Sequence, residues 1–198
     1  NRIVERFPLR DVELQALRAA ELQRDNVGAR WTLWAQSAWA LANGDSVRGD
    51  YSTSLLQYDT PSALNNDDRD ELTINAQASY SRSLSHILRA TLSAEVRLAH
   101  VVFIKAQRSA QNNWNRIFRL SPSFAFSSGG LDMRPQFEVL ANYTSFDFED
   151  VLGTVQSFSL RQIAYRDSVV VQFNPVASLE SRILFRYFER GEFRWNEF

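Results

Sequence analysis

The sequence predicts an all-β chain: an antiparallel up-and-down meander of about eight long strands forming a barrel or a barrel arc. Three observations lead there. Apolar and polar residues alternate with period 2 through most of residues 29–198, which gives each strand one greasy and one wet face. The alternating runs are long, with 86–106 the longest, whereas strands of soluble proteins usually run about 5–6 residues. Tight turn signals and longer polar links separate the runs by turns, the spacing of a meander.

Composition narrows the class. The 198 residues are 44% hydrophobic and 13% aromatic, carry a formal net charge of -1 and contain no Cys. That much apolar material excludes a disordered chain. The lack of Cys excludes a disulfide scaffold and a thiolate metal site. A near-zero charge gives no field that would favour nucleic acid. No run approaches the ~20 apolar residues of a membrane-spanning helix. Lys105 is the only lysine, so every other basic residue is arginine. The start Asn1-Arg2-Ile3-Val4 has neither Met nor a signal-peptide pattern, and a mature protein or a piece of a longer one is the expectation.

The first segment, 1–28, stands apart. Leu9, Val12, Ala16, Leu17 and Ala20 fit a helix face, Asp11 could cap it and Gly28 follows. Val12, Leu14 and Ala16 also alternate, so a short helix and an extended loop both remain open. The first strand, 29–41, sets Trp31, Leu33, Ala35 and Trp39 against Arg30, Thr32 and Gln36. Asn43-Gly44-Asp45 is a hairpin signal, and 46–58 follows with Val47, Tyr51, Thr53 and Leu55 on one face. After the polar link 59–70 comes 71–84, where Leu72, Ile74, Ala76, Ala78 and Tyr80 oppose Thr73, Asn75, Gln77 and Ser79. Ser83–Ser85 turns the chain into 86–106. There Leu88, Ala90, Leu92, Ala94, Val96 and Leu98 oppose Arg89, Ser93, Glu95 and Arg97.

The second half repeats the plan. Beyond the link 108–113, strand 114–126 has Trp114, Phe118, Leu120, Phe124 and Phe126 on one face. Ser127-Ser128-Gly129-Gly130 turns into 133–147, with Phe137, Val139, Ala141 and Tyr143 against Gln136, Glu138 and Asn142. Past the link 146–154, segment 155–173 begins with Phe158 and Leu160 and then changes parity to Ile163, Tyr165, Val169 and Val171. A bulge near Arg161 would account for that change. Asn174-Pro175 turns into 177–195, where Leu179, Ile183, Phe185 and Tyr187 oppose Glu180, Arg182 and Arg186.

A sheet with one apolar face must bury it against a second sheet, a helix layer or lipid. Most segments reach 13 residues or more, enough for the ~9–11 that a tilted strand needs to cross a bilayer. The other face is heavily charged, through Arg89, Glu95, Arg97, Arg119, Glu138, Arg161, Asp167, Glu180, Arg182 and Arg186, as suits a wet lumen. Tyr80, Trp114, Phe146, Phe148 and Trp195 lie near segment ends, where interfacial girdles sit. They fit the edge of a soluble sandwich as well.

With its dyad strands 71–84, 86–106, 114–126 and 133–147, and tight turns opposite long Asn-rich or acidic loops, the chain resembles the outer-membrane β-barrel proteins of diderm bacteria. Phrases such as Asn112-Asn113-Trp114-Asn115-Arg116-Ile117 and Phe137-Glu138-Val139-Leu140-Ala141-Asn142-Tyr143 carry the likeness. It covers about residues 29–198 and rests on pattern, not on a diagnostic motif. The resemblance implies an outer-membrane location, lipid and the barrel-assembly machinery as partners, and a stretch of a larger barrel. Phe198 is terminal, but Phe193 and Trp195 have the opposite parity to it, which departs from the closing strand of that class.

No constellation points to catalysis or to a cofactor. His86 and His100 share a parity but stand too far apart to hold one metal. Asp67, Asp68, Asp70 and Glu71, and likewise Asp147, Glu149 and Asp150, are dense enough to hold Ca²⁺ but lack EF-hand spacing, and solvated loops explain them more simply. Arg182, Arg186, Arg190 and Arg194 recur every four residues on one face. They could select anions, or pair with Glu138, Glu180, Glu189, Glu192 or Asp167. The expected function is a structural or transport role in an outer membrane, without enzymatic activity. The alternative is a soluble all-β binding module, a sandwich or lipocalin-like barrel, with the apolar face inside.

Overall fold

The computed structural model describes residues 26–60, 65–149 and 156–192. The helix or loop expected over 9–24, Arg194 and Trp195 lie outside them. The described residues form one antiparallel sheet. Its strands are β1 (Val27–Ala40), β2 (Ser46–Asp59), β3 (Arg69–Ser83), β4 (Leu88–Phe103), β5 (Asn113–Ser128), β6 (Leu131–Met133), β7 (Gln136–Phe146), β8 (Phe158–Asn174) and β9 (Ala177–Glu192). Strands β6 and β7 are two parts of one strand. Both keep the same register with β5, with Met133 opposite Phe126 and Gln136 opposite Ser123. They also share a register with β8. The break falls at Pro135, which has no N–H to donate. The ladder continues across it, because the Phe124 N–H donates to the Pro135 carbonyl at 2.9 Å and the Arg134 N–H to the Ser168 carbonyl at 3.0 Å.

Counted this way, eight long strands run in chain order, each paired to its sequence neighbours. The connections alternate as the sequence predicts. At one end, Asn43 and Gly44 take positive φ in a one-turn 3₁₀ segment, and Gly129 and Gly130 take positive φ in the β5–β6 turn, a conformation that glycine adopts without steric cost. At the other end lie the longer links 60–68, 104–112 and 147–157. Strands β1 and β9 each have one neighbour among the described residues, so the sheet is an arc with two open edges.

The register carries the side-chain alternation across the whole sheet. One unbroken row runs Gln36, Asp50, Gln77, Glu95, Arg119, each directly opposite the next. The row two residues away on β4 carries Arg97, opposite Asn75 and Ile117. The reverse face carries Leu33, Thr53, Ile74, Leu98 and their neighbours. A groove of about 270 Å³ is lined from Gln77 on β3 to Arg166 on β8, so the sheet curls toward its polar face.

The apolar face has no cover. Among the described residues Ala164 is the only buried hydrophobic side chain, while Trp31 is 73% exposed, Leu33 62% and Phe185 58%. Buried positions are mostly polar: Ser121, Glu138, Thr144, Ser145, Ser157, Ser159 and Asp167 among them. Soluble domains show the opposite distribution. On β4 the apolar run from Leu88 to Leu98 is about 34 Å long, and at a tilt of about 40° it rises about 25 Å, the height of a lipid-facing band.

Strand β8 departs from the sequence reading. Its pairing with β7 stays regular from Phe158 through Arg166, and that with β9 from Phe158 through Gln172. The one irregularity lies between Gln172 and Asn174, so there is no bulge at Arg161. Phe158 and Leu160 therefore share the polar face with Asn142 and Thr144, and Arg161 shares the apolar face with Ala141 and Ile163.

Candidate functional site

Most of the predicted charged residues lie on the polar face, and three of them meet there. Arg119 on β5 bridges two acids: its Nη1 donates to Glu95 Oε2 at 2.6 Å, and its Nε lies 3.6 Å from Glu138 Oε2. Glu138 is 9% exposed. It accepts a hydrogen bond from Gln162 Nε2 at 2.9 Å and faces Arg166 Nη2 at 4.0 Å. The result is an alternating string, Glu95–Arg119–Glu138–Arg166, laid across four of the long strands. A buried carboxylate needs such partners, because desolvation of an unpaired charge costs several kcal/mol (~). Ser93, Ser121, Ser123 and Gln136 complete the lining of the groove above it.

The remaining predicted residues are more dispersed. Arg89 lies near the short-turn end, with Nη2 3.4 Å from Ser83 Oγ. Arg97 sits two residues beyond Glu95 toward the long links. Glu180 and Arg182 pair with each other at 2.7 Å along β9, both well exposed. Arg186 stands opposite Ala164. Arg190 lies over the Phe158 ring, 4.3 Å from its centroid, which explains how that phenyl group is accommodated among polar neighbours.

Two charged residues are not where the sequence places them. Arg161 and Asp167 belong to the apolar face, because β8 never changes register. Arg161 lies at the long-link end of its strand and meets Glu189 at 3.6 Å. A long arginine stem there can lie on apolar surface while its head reaches water. Asp167 is 7% exposed and accepts from the Tyr165 hydroxyl at 3.1 Å. Its Oδ1 has no partner among the described residues. Arg166 and Gln162, by contrast, are members of the polar string that sequence reading misses. The signal was there in their parity with Ala164, masked by the apolar Phe158 and Leu160 of the same parity.

Two polar borders frame the apolar face. At the short-turn end the Tyr80 hydroxyl donates to Asp45 Oδ2 at 2.6 Å, and Arg82 lies 3.8 Å from the same carboxylate group. At the long-link end His100 stacks on Trp114, with ring centroids 4.1 Å apart and planes 7° from parallel. His100 Nε2 lies 3.0 Å from Asp147 Oδ2, and Arg116 Nη1 donates to Ser145 Oγ at 2.9 Å. His100 thus belongs to a border cluster that its spacing from His86 did not reveal.

Above that border the long links hold one another. Asp68 accepts the Thr60 N–H at 2.6 Å and the Thr60 hydroxyl, and lies 3.2 Å from Lys105 Nζ. Asp67 pairs with Arg108. The Ile104 N–H donates to the Asp68 carbonyl at 2.9 Å. These carboxylates are matched to cations and hydroxyls, and among the described residues no three metal-ligating side chains converge.

The fold is that of an outer-membrane β-barrel, present as an arc of eight long strands. No protein-family model and no curated protein matches the sequence. Solved structures do. The chain is similar to the outer membrane transporter YddB from Escherichia coli, with a TM-score of 0.59 at 11% identity, over 89% of this chain and 28% of that one. It is also similar to the beta domain of the Bordetella autotransporter BrkA, with a TM-score of 0.40 at 10% identity, over 84% of this chain and 73% of that one. The chain therefore spans 28% of the YddB transporter's length. No helix among the described residues is long and apolar enough to cross a membrane.

Proposed function

We propose that the chain forms part of the wall of a bacterial outer-membrane barrel, with its apolar face against lipid and its polar face lining a water-filled lumen through which polar solutes pass. One observation carries this reading: one face of the sheet exposes large apolar side chains from β1 to β9, Trp31, Leu33, Phe118, Leu120, Val139 and Phe185 among them, and the buried side chains are mostly polar. A soluble binding module would need a second layer over Trp31, Phe118 and Phe185, and the described residues supply none. The long links then face the cell exterior, as in barrels of this class. Its role is non-enzymatic, and its partners are outer-membrane lipid and the machinery that inserts barrels.

The test is folding with and without an amphiphile. The full chain is refolded in plain buffer and in neutral maltoside micelles, followed by tryptophan fluorescence and heat-modifiable gel mobility. Aggregation in buffer, with a blue-shifted spectrum and a mobility shift in micelles, is the expected result. A folded, monodisperse protein in plain buffer would overturn the reading.

A further inference from the structure

The two faces of the sheet differ in charge balance as well as polarity. On the polar face Arg30, Arg48, Arg89, Arg97, Arg186 and Arg190 have no carboxylate within 4.0 Å among the described residues, whereas only Asp50 and Glu192 lack a cation there. The chain as a whole has a formal net charge of -1. Folding therefore sorts a nearly neutral sequence into a polar face with surplus positive charge. Surplus cations on a curved wall attract counter-charged solutes.

On β8 and β9 one arginine unpaired among the described residues, Arg186, stands with two paired ones, Arg166 and Arg182. Arg166 is directly opposite Leu184, and Arg182 and Arg186 lie two residues to either side of Leu184 on the same face. Diagonal neighbours of this kind are about 7–8 Å apart at the backbone, within reach of long side chains. Leu184 stands between the two β9 arginines, and the residues flanking Arg166 on β8 are small, with Ser168 opposite Arg182 and Ala164 opposite Arg186. Arg166 is 48% exposed at its side chain and Arg182 77%. Of the two carboxylates nearby, Glu138 lies closer to Arg119 than to Arg166, and Glu180 holds Arg182 from one side and leaves the rest of its guanidinium exposed. Guanidinium groups present planar forks of donors that suit sulfonate, phosphate and carboxylate oxygens.

We propose that the polar face is an anion-attracting surface, and that Arg166, Arg182 and Arg186 form a subsite for a solute carrying several negative charges. The proposal rests on the reading of this face as a lumen wall, and its test separates the two. The full chain in neutral maltoside micelles is titrated with the trisulfonated dye pyranine and, in parallel, with the cationic dye rhodamine 6G, and fluorescence anisotropy is read at low and high salt. Pyranine is expected to bind in preference to rhodamine 6G, with affinity falling as salt rises. The variant R166Q/R182Q/R186Q weakens that binding by about tenfold, while R30Q/R48Q, on the far side of the arc, changes it by less than about twofold. Equal pyranine affinity in the triple variant, or preferential binding of rhodamine 6G, would refute the subsite. Heat-modifiable mobility of the same samples shows that each variant is folded. Pyranine binding by a chain that folds in plain buffer would keep the anion subsite and overturn the lumen.

Discussion

Asp68 shows how single residues set the rim at the long-link end. The Thr60 hydroxyl, the Thr60 N–H and the Lys105 ammonium hold its carboxyl below the usual carboxylate range, against a smaller opposing effect of desolvation. A carboxyl whose folded value is depressed favours the folded state above its unfolded value and loses that contribution as pH falls through the folded one. The contacts between links 60–68 and 104–112 are therefore intact at neutral pH and release only in acid, below the ordinary carboxylate range. Hydrogen exchange of the Thr60 and Ile104 amides should stay slow from neutral pH down to mild acid and quicken below it relative to the intrinsic rate. Amides that exchange freely at neutral pH would contradict this anchoring. At the same scale, Arg161 and Asp167 mark the limit of sequence reading. Residue type alone assigns a charged side chain to water, but pairing assigns its face, and the register of β8 is fixed by neighbours far away in the chain. Phe158 and Leu160 sent the parity the wrong way because Arg190 shields one of them in a manner no local pattern reveals.

At the scale of elements the alternation was nearly sufficient. The strands observed at Arg69–Ser83, Leu88–Phe103 and Asn113–Ser128 fall within a few residues of the periodic runs, because a period of two has only one way to keep apolar side chains together. The turns were legible through Asn-Gly and Gly-Gly. What the runs did not show was the polar string, since Arg119 and Glu138 meet through register and not through sequence proximity. The two faces also predict opposite responses to the same substitution. In lipid vesicles, Leu120→Arg on the apolar face should cost about 3 kcal/mol of folding free energy, while Ser123→Arg on the polar face of the same strand should cost less than about 1 kcal/mol. Urea titration of the refolded chain measures both. Equal penalties would mean that both faces see the same solvent.

For the whole molecule, the open edges matter most. Among the described residues, β1 and β9 each leave a line of backbone donors and acceptors unpaired on one side, and hydrocarbon offers such groups no partner. An arc of this kind is stable in lipid only when further strands continue it, whether from the same chain or from another. The similarity to a fraction of a much longer transporter chain fits that geometry. The sequence showed strand number and order but not closure, because closure depends on strand tilt and stagger, which alternation does not encode.

Lys105 gives the molecule an address. It is the chain's only lysine, and the fold sets it among the long links, beside Asp68 and Asn65. Any reagent that acylates side-chain amines thus has one target, at one end of the sheet. Intact cells producing the protein and treated with a membrane-impermeant N-hydroxysuccinimide ester should carry the label on Lys105, because the long links face outward in the proposed orientation. Labelling that appears only after the cells are broken would place that end in the periplasm. A single side-chain amine thereby turns the orientation of the whole wall into the mass of one peptide.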